Sequence, residues 1–460
     1  MPIALGALLA TLGLLWHPLV LFAHAHLRRS EPAARAQLVS PPTAIRLWFS
    51  ERPELAFTRI RLLRADSTEV SLGKAASIAR DALGVESAIP SALDAGRYIV
   101  LWQTAGADGH PSRGSFEFSV VGRAQPVAAM HDSLRSPAPA THALVRVKRT
   151  EPMSIKAYAA TRWLEFIGVL SIVGAVVFRL LIASTFQGQD APPLAAAGIA
   201  QLSDAARRVG QGALVLLLIA DVARLYTEAS AMAGNEEAIG VASITALLRT
   251  TWGTGWLVGV AGLLVAAAGL TAARRTAVGW TVALIGALGV VVEPALTGHA
   301  AAESSLWLAV VGDALHVAAI SAWLGTLLVL VLVGIPTARR AWSDDVGSGG
   351  LAIARLARAY HPVALVCAAV MILSGLLSTW LHLPSLPSLW QTGYGRVLLG
   401  KLAFVVLVLV LGALNWRRVL PSLGGDEGAQ RLRRRAGVEL GLVAIVLALT
   451  AILVSSETPT

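Results

Sequence analysis

The chain has 460 residues, of which 55% are apolar and only 14% are charged. Soluble globular domains carry about 25% charged residues, so this composition excludes a soluble enzyme-like domain and predicts that most of the chain lies in a lipid bilayer. The net charge of +10 does not indicate nucleic-acid binding, because the arginines stand in short clusters beside apolar runs. That arrangement is typical of the cytoplasmic loops of membrane proteins.

Residues 1–23 have the length and the apolar core of a secretory signal peptide, and they end at the small residue Ala23. No Lys or Arg precedes the apolar core, and Leu21 replaces a small residue at the third position before the cut, so an uncleaved anchor stays an alternative. Cleavage would make His24 the first residue of the exported chain. A terminal histidine offers its amine and an imidazole nitrogen, two nitrogen ligands that suit Cu(II).

Residues 24–121 predict an all-β domain outside the membrane. Short runs alternate apolar and polar residues, the period of a half-buried strand, and are separated by Pro and Gly. The runs are 44–49, 59–63, 96–102 and 114–121. We expect a Greek-key β-sandwich or barrel of immunoglobulin-like type.

Residues 122–157 are rich in Pro, Ala and charge without any period, which predicts a linker. The remainder, 158–460, predicts an all-α polytopic membrane domain, because it contains eight apolar runs long enough to cross a bilayer. The predicted spans are 158–182, 205–228, 254–273, 278–298, 306–334, 360–382, 397–419 and 436–456.

The arginines predict the orientation of these spans, because positive residues stay on the cytoplasmic side. They fall at one set of alternate span ends, whereas acidic residues fall at the other. We therefore expect a multi-pass protein of the cytoplasmic (inner) membrane, with the β-domain and the C-terminus on the periplasmic side. The arginines are Arg179, Arg207, Arg208, Arg274, Arg275, Arg339, Arg340, Arg355, Arg358, Arg417, Arg418, Arg431, Arg433, Arg434 and Arg435, and the acids are Glu236, Glu237 and Glu303.

The candidate metal site of the β-domain combines His24 with Asp108 and His110. Asp108 and His110 are two positions apart, so in a strand their side chains would share one face, and Pro111 and Gly114 suggest a turn beside them. An amine, two imidazoles and a carboxylate suit tetragonal Cu(II). A merely polar Asp-Gly-His-Pro turn stays an alternative. His26 is close in sequence, but we do not expect it to be a ligand.

The membrane half carries ionisable residues within its predicted spans, where a charge is costly and therefore a functional candidate. The residues are Glu165, Asp221, Glu293, Asp313, His316, Lys401 and Glu439. Asp313 and His316 share a helix face and lie inward of His299 and His382, at the outer span ends, so these four form a candidate copper path. Three plainer alternatives stay open: an ion pair for Lys401, neutralisation of arginines by Glu439, and a helix-end position for His361.

The β-domain resembles the CopC family of exported copper-binding β-sandwich proteins over about residues 24–121. The resemblance is carried by His24-Ala-His-Leu-Arg-Arg-Ser-Glu-Pro32, Pro41-Pro42, Leu47-Trp-Phe-Ser-Glu51, Leu93-Asp-Ala-Gly-Arg-Tyr98 and Asp108-Gly-His-Pro-Ser-Arg-Gly-Ser-Phe-Glu-Phe118. It implies Cu(II) binding by His24, Asp108 and His110. No methionine occurs between Met1 and Met130, so the methionine-rich Cu(I) site of some members is not expected.

Residues 158–460 resemble the CopD family of copper-resistance or copper-uptake membrane proteins. The motifs are Thr297-Gly-His-Ala300, Asp313-Ala-Leu-His-Val-Ala-Ala-Ile-Ser-Ala-Trp-Leu-Gly325, Thr392-Gly-Tyr-Gly-Arg-Val-Leu-Leu-Gly-Lys401, Leu411-Gly-Ala-Leu-Asn-Trp-Arg417 and the segment from Glu439 to Pro459. Fusion of the two domains is an arrangement known in the family. The resemblance therefore implies one chain that joins copper capture to a membrane domain.

These observations predict a transporter rather than an enzyme, with no catalytic residues. We expect the β-domain to capture Cu(II) and pass it to the membrane domain for import, with the bilayer, copper and periplasmic copper chaperones as candidate partners and no nucleic acid. Cu(I) in the membrane domain stays open, although its preferred Met and Cys ligands are few there. The alternative is a haem-binding or electron-transfer membrane domain that reduces copper through paired histidines, His299 and His382. Of the two we favour copper passage, without haem.

Overall fold

The computed structural model describes residues 26–50, 52–106, 111–121, 155–186, 193–233, 240–298, 306–342, 348–382, 386–418 and 426–454. The chain divides into two compact units. One contains the strands together with residues 228–250, and the other contains the long helices.

The β-domain is built from two sheets. The four-stranded sheet has the order β1-β3-β7-β6, and the five-stranded sheet has the order β2-β9-β8-β4-β5, with all pairs antiparallel except β2 with β9. The strands are β1 (Leu27–Glu31), β2 (Gln37–Leu38), β3 (Ala44–Phe49), β4 (Arg59–Arg64), β5 (Glu69–Val70), β6 (Ala76–Ile78), β7 (Asp81–Ala88), β8 (Gly96–Ala105) and β9 (Pro111–Val120).

The core of this domain takes side chains from both sheets, which makes it a β-sandwich as the sequence predicts. Ile45, Leu47 and Phe49 point inward from β3 at every second residue, and they pack with residues such as Val100 and Phe118 of the other sheet. Burial of alternate apolar side chains supplies the main driving force for joining the two sheets.

The longest strand missed by the sequence patterns is β7, whose residues include Asp81, Gly84 and Glu86. These types are poor strand formers, so local propensity argues against a strand. The tertiary structure explains Gly84, because a Cβ there would lie only 2.8 Å from Ile78 Cδ1 and 3.0 Å from Trp48 Nε1. The neighbouring side chains therefore leave no room for a side chain at position 84, which explains a glycine inside this strand.

The helical unit contains the predicted spans. Its long helices are α1 (Ile155–Phe186), α2 (Pro193–Ala233), α4 (Thr251–Ala272), α5 (Val278–Thr297), α6, α7 (Ser348–His382), α9 (Gly393–Arg418) and α10 (Asp426–Val454). Helix α6 joins Leu306–Ile320, Thr326–Val329 and Ile335–Ala341 through π-helical turns at Ser321–Gly325 and Leu330–Gly334. Two short helices, α3 (Val241–Leu248) and α8 (Ser388–Gln391), were not predicted.

Eight helices in the described part of the chain are long and apolar enough to cross a membrane, which confirms the predicted number. Several of them extend beyond the predicted apolar runs. Helix α7 begins at Ser348 rather than near residue 360, and α10 begins at Asp426 rather than near residue 436. The extensions carry arginines, so hydropathy marks the apolar part of a helix rather than its ends.

Helices α1 and α6 meet at two glycines. A Cβ on Gly325 would overlap the carbonyl oxygen of Leu170, and a Cβ on Gly174 would overlap the backbone of Gly325. Gly325 also ends the π-helical turn that contains Trp323, whose carbonyl oxygen accepts a hydrogen bond from the Tyr360 hydroxyl at 3.3 Å. Two backbones in direct contact leave no room for a side chain at this crossing.

We expect the substitution Gly325→Ala to lower the free energy of unfolding by about 1–3 kcal/mol, the usual cost of overpacking a tight contact. Thermal unfolding of the purified protein in detergent measures this change. Gly212→Ala in α2 is the matched control, because a Cβ there meets nothing within 4 Å. Equal stabilities for the two variants would contradict the role given to Gly325.

Candidate functional site

The three predicted copper ligands of the β-domain, His24, Asp108 and His110, lie outside the described residues. The described chain begins at His26, which is exposed. Its backbone is tied to the end of β3: the His26 N–H donates to Ser50 Oγ at 2.9 Å, and the Ser50 N–H donates to the His26 carbonyl at 2.8 Å. The start of the described chain is thus held beside Ser50.

The chain on either side of residues 107–110 is held by the β8–β9 hairpin. Ala105 is paired with Pro111, so Pro111 begins a strand and is not in the expected turn. Gly114 is not in the expected turn either, because it lies within β9 and pairs with Trp102 of β8. A Cβ on Gly114 would meet the Trp102 ring, so the glycine is needed for packing rather than for a turn.

Two contacts relate the hairpin end to Ser50. The Glu54 N–H donates to the Ala105 carbonyl at 2.9 Å, and the rings of Phe49 and Trp102 pack edge to face with centroids 5.3 Å apart. Ser50 and Glu54 are four positions apart in the sequence, so their Cα atoms lie at most about 14 Å from each other. His26 and the two ends of the hairpin therefore lie at the same end of the sandwich.

A half-buried carboxyl group, Glu54, lies at this end of the sandwich. Burial raises the pKa of Glu54 above its ordinary value, and the positive charge of Arg52 only partly offsets the effect. One residue beyond the 3-10 helix Leu55–Phe57, the Thr58 hydroxyl bonds to the hydroxyl of Thr104 on β8 at 2.7 Å. These bonds fasten the segment around Glu54 to β8.

In the helical unit, His316 lies between α6 and α7. Its Nδ1 is 3.0 Å from Ser374 Oγ and 3.2 Å from the Met371 carbonyl oxygen. Since a carbonyl oxygen can only accept, a Nδ1–H that donates to it leaves Nε2 unprotonated, which is the form of imidazole that binds metals. The ring is thus oriented by Ser374 and Met371 of α7.

Asp313 lies near Lys401 of α9, and the two interact electrostatically. The charge of Lys401 also acts on His316. Proximity to Asp313 agrees with the predicted ion pair for Lys401. A lysine beside Asp313 also makes that carboxylate less available to a metal, because the two cations would compete for it.

Two of the four residues of the predicted copper path, Asp313 and His316, have described side chains. His299 lies outside the described residues, and His382 is described only as the last residue of α7. Within the described ranges, no three His, Cys, Asp or Glu side chains are grouped closely enough to hold a metal ion. His316 and Asp313 are therefore the members of the path whose surroundings are known.

A buried ion cluster joins α1, α2 and α5, and it includes two of the predicted polar residues, Glu165 and Glu293. Arg162 NH1 donates to both carboxylate oxygens of Glu165 at 2.9 Å. Arg224 NH1 donates to Glu165 Oε1 at 3.2 Å and to Glu293 Oε1, while its NH2 donates to Thr297 Oγ1 at 2.6 Å. All five side chains are at least 95% buried.

The two arginines of this cluster were missed by the sequence analysis, which treated arginine mainly as a marker of cytoplasmic loops. The sequence did contain a signal for the role of these arginines, because Arg162 lies three positions before Glu165 and Arg224 lies three positions after Asp221. Opposite charges at this spacing share a helix face. Asp221 is also buried and interacts electrostatically with Glu165 and both arginines.

Two further expectations for the membrane half are wrong. Glu439 is buried, and the partner described for it is Asn415, whose Nδ2 donates to Glu439 Oε2 at 3.2 Å, rather than an arginine. His361 does not lie at a helix end, because α7 begins at Ser348, and its ring stacks on Trp416. Each contact joins two different helices, which local sequence patterns do not reveal.

The family models match three consecutive parts of the chain. The CopC domain matches residues 27–121, the N-terminal domain of copper resistance protein D-like proteins matches residues 153–308, and copper resistance protein D matches residues 354–453. The chain belongs to the CopC–CopD fusion proteins. In this chain a β-domain of the CopC type is thus followed by a CopD-type domain, and the described part contains eight candidate membrane spans.

Three relatives cover different parts of the fusion. The copper transport protein CutJ of Bacillus subtilis is 28% identical over 417 residues, which are 88% of this chain and 69% of CutJ. Protein YobA of Escherichia coli is 33% identical over 99 residues, covering 22% of this chain and 80% of YobA. Copper resistance protein D of Pseudomonas syringae is 25% identical, covering 65% of this chain and 95% of that protein. The fusion thus belongs among copper transport and resistance proteins.

Proposed function

We propose that the β-domain captures Cu(II) outside the cytoplasmic membrane through His24, Asp108 and His110, and that the membrane domain carries this copper into the cell. The observation that supports capture is the convergence of His26 and both ends of the β8–β9 hairpin at one end of the sandwich. The flanks of all three candidate ligands meet there. The amine, imidazole and carboxylate donors of these residues suit Cu(II).

Passage through the membrane domain is supported by His316. Its ring is oriented by Ser374 and Met371, which leaves Nε2 as the nitrogen that meets the ion. Metal-binding histidines commonly have their other ring nitrogen held by a hydrogen bond in this way. Asp313 one turn away, together with His299 and His382, provides the remaining candidate donors. Import as the direction agrees with a capture domain on the outer side.

Uptake of copper into proteoliposomes tests both halves of the proposal. We expect the full chain to take up copper, and we expect deletion of the β-domain to slow uptake at low copper while leaving the rate at saturating copper unchanged. This pattern follows because a capture domain raises the supply of copper without changing the passage itself. Equal uptake at every copper concentration with and without the β-domain would rule out the capture role.

The substitution His316→Ala tests the passage. We expect it to abolish uptake at saturating copper while Cu(II) binding by the β-domain is unchanged. His361→Ala is the matched control, since it removes a histidine from the neighbouring α7, where the ring stacks on Trp416. Uptake that persists in a folded His316→Ala protein would refute the proposed path, and a Soret absorption band in the purified protein would support the haem alternative.

A further inference from the structure

The charges of the buried cluster around Arg224 do not balance. Arg162 and Arg224 supply two positive charges, whereas Glu165, Glu293 and Asp221 supply three carboxyl groups. All five side chains are buried. If every group were ionised, the cluster would hold one surplus negative charge in a region where an uncompensated charge is costly. One bound proton would remove that surplus.

The carboxyl groups of Glu165 and Glu293 are arranged to share such a proton. Both present Oε1 to the same nitrogen, NH1 of Arg224, which brings the two carboxyl groups together. Two negative charges held this close in a buried site favour protonation of one of them. The local geometry thus favours the same proton as the charge balance.

Of the two carboxyl groups that accept from Arg224, the hydrogen bonds favour Glu293 as the one that holds the proton. Both oxygens of Glu165 accept from Arg162, and Oε1 accepts from Arg224 as well, which stabilises Glu165 as a carboxylate. Glu293 Oε1 accepts from Arg224, and Thr297 divides its single hydrogen between this oxygen and the Glu293 backbone carbonyl. The group with fewer donors is the one that keeps a proton more easily.

The helices packed around Glu293 add few other charges. Helix α4 has no charged residue, and Glu293 is the charged residue of α5. On α6, Asp313 interacts with Lys401, and on α2 the buried Glu228 follows Arg224 by one turn. Of these neighbours outside the cluster, Lys401 is the cation, and it interacts with Asp313, while Glu228 adds a further buried carboxyl group.

Trp252 places a buried polar group beside the cluster. Its ring lies 5.4 Å from the guanidinium carbon of Arg224, and its buried indole N–H has no acceptor within the described part of the protein. The cluster is also near a helix end, because Glu293 is one turn from Thr297, the last residue of α5. The cluster thus lies close to the end of a span rather than at its middle.

We propose that the Glu165–Arg224–Glu293 cluster is a proton-binding site, and that its proton is released when the membrane domain carries copper. The coupling of proton release to copper passage rests on the proposed function. Release converts the carboxylic acid of Glu293 to a carboxylate and gives the proton to water, so the cluster changes from net charge zero to minus one. A copper cation passing nearby stabilises the deprotonated cluster, and a bound proton opposes the cation.

The first test follows copper uptake and internal pH together in proteoliposomes that contain the full chain and a pH-sensitive dye. Saturating copper removes the pH dependence of capture by the β-domain. We expect copper uptake by the unmodified protein to move protons and to rise with pH by up to about tenfold per pH unit, the limit for one exchanging proton. Copper uptake without proton movement would overturn the coupling.

The substitution Glu293→Gln imitates the protonated side chain and keeps its shape. We expect this variant to take up copper slowly at every pH, at the rate that the unmodified protein shows in acid. Glu439→Gln, which changes a buried carboxyl group bonded to Asn415 outside the cluster, should retain the pH-dependent component removed by Glu293→Gln. A Glu293→Gln protein with an unchanged pH profile would overturn the proposal.

A second measurement does not depend on transport. Infrared spectra of the purified protein, recorded during a pH titration, detect the C=O stretch of a protonated carboxylic acid. We expect Glu293→Gln to remove one component of this signal that Glu439→Gln leaves in place. If no copper is taken up but the component is present, the proposed transport function fails and the proton site stands. If the component is absent, the proton site is refuted.

Discussion

Addition of one alanine before His24 of the exported chain is expected to weaken Cu(II) binding by more than about 100-fold. Loss of a residue that only supports a metal ligand weakens metal binding by up to about 100-fold. The added residue moves the free amine away from the His24 imidazole, so the two nitrogens no longer form one chelate. A direct ligand contributes more than a partner that only orients a ligand. Competition with a chelator of known affinity measures the change.

Electron paramagnetic resonance of the Cu(II) form provides a second measurement, because loss of one nitrogen ligand changes the copper hyperfine pattern. We expect His110→Ala to weaken binding strongly as well. His26→Ala is the matched control, since His26 is exposed and lies only two residues from His24, but is not a predicted ligand. Tight binding with the alanine in place would show that the terminal amine does not bind copper.

The substitution Arg224→Met is expected to lower the free energy of unfolding by about 3–5 kcal/mol, the usual result of removing one partner of a buried ion pair. It leaves Glu293 without its described guanidinium donor and removes one of the two donors of Glu165. The thermal unfolding transition in detergent, monitored by circular dichroism, measures the loss.

Arg208→Met is the matched control for Arg224→Met. The Arg208 side chain is 64% exposed and pairs with Asp204, so its removal should cost less than about 1 kcal/mol. The double variant Arg224→Met with Glu293→Gln should recover part of the lost stability, because it removes an ionisable carboxyl group that would otherwise stay buried without its guanidinium donor. Equal losses for Arg224→Met and Arg208→Met would contradict the structural role of the cluster.

In the β-domain, the sequence patterns found the strands that alternate regularly and missed those that do not. β3 was predicted at residues 44–49 and occurs there, because every second side chain enters the core. β7 was missed, because Asp81 and Gly84 argue against a strand locally. Its place between β3 and β6 depends on the Trp48 and Ile78 side chains over Gly84.

In the membrane domain, hydropathy predicted the number of spans correctly, because the cost of placing polar residues in lipid acts on each segment separately. The same patterns did not predict which segments approach most closely. The contact between Gly174 and Gly325 depends on the rotation of two helices about their own axes. A glycine in an apolar run looks the same in the sequence whether it faces lipid or another backbone.

The sequence alone determined the division into a β-domain and a bundle of eight candidate spans, since composition, alternation and apolar length are local properties. It also named Glu165, Asp221 and Glu293 as costly residues in need of an explanation. Only the tertiary structure decided that Arg224 joins Glu165 and Glu293, which lie 59 and 69 positions away in the chain. The reason is physical: a buried charge must find its partner in space, and helix packing decides which residue that partner is.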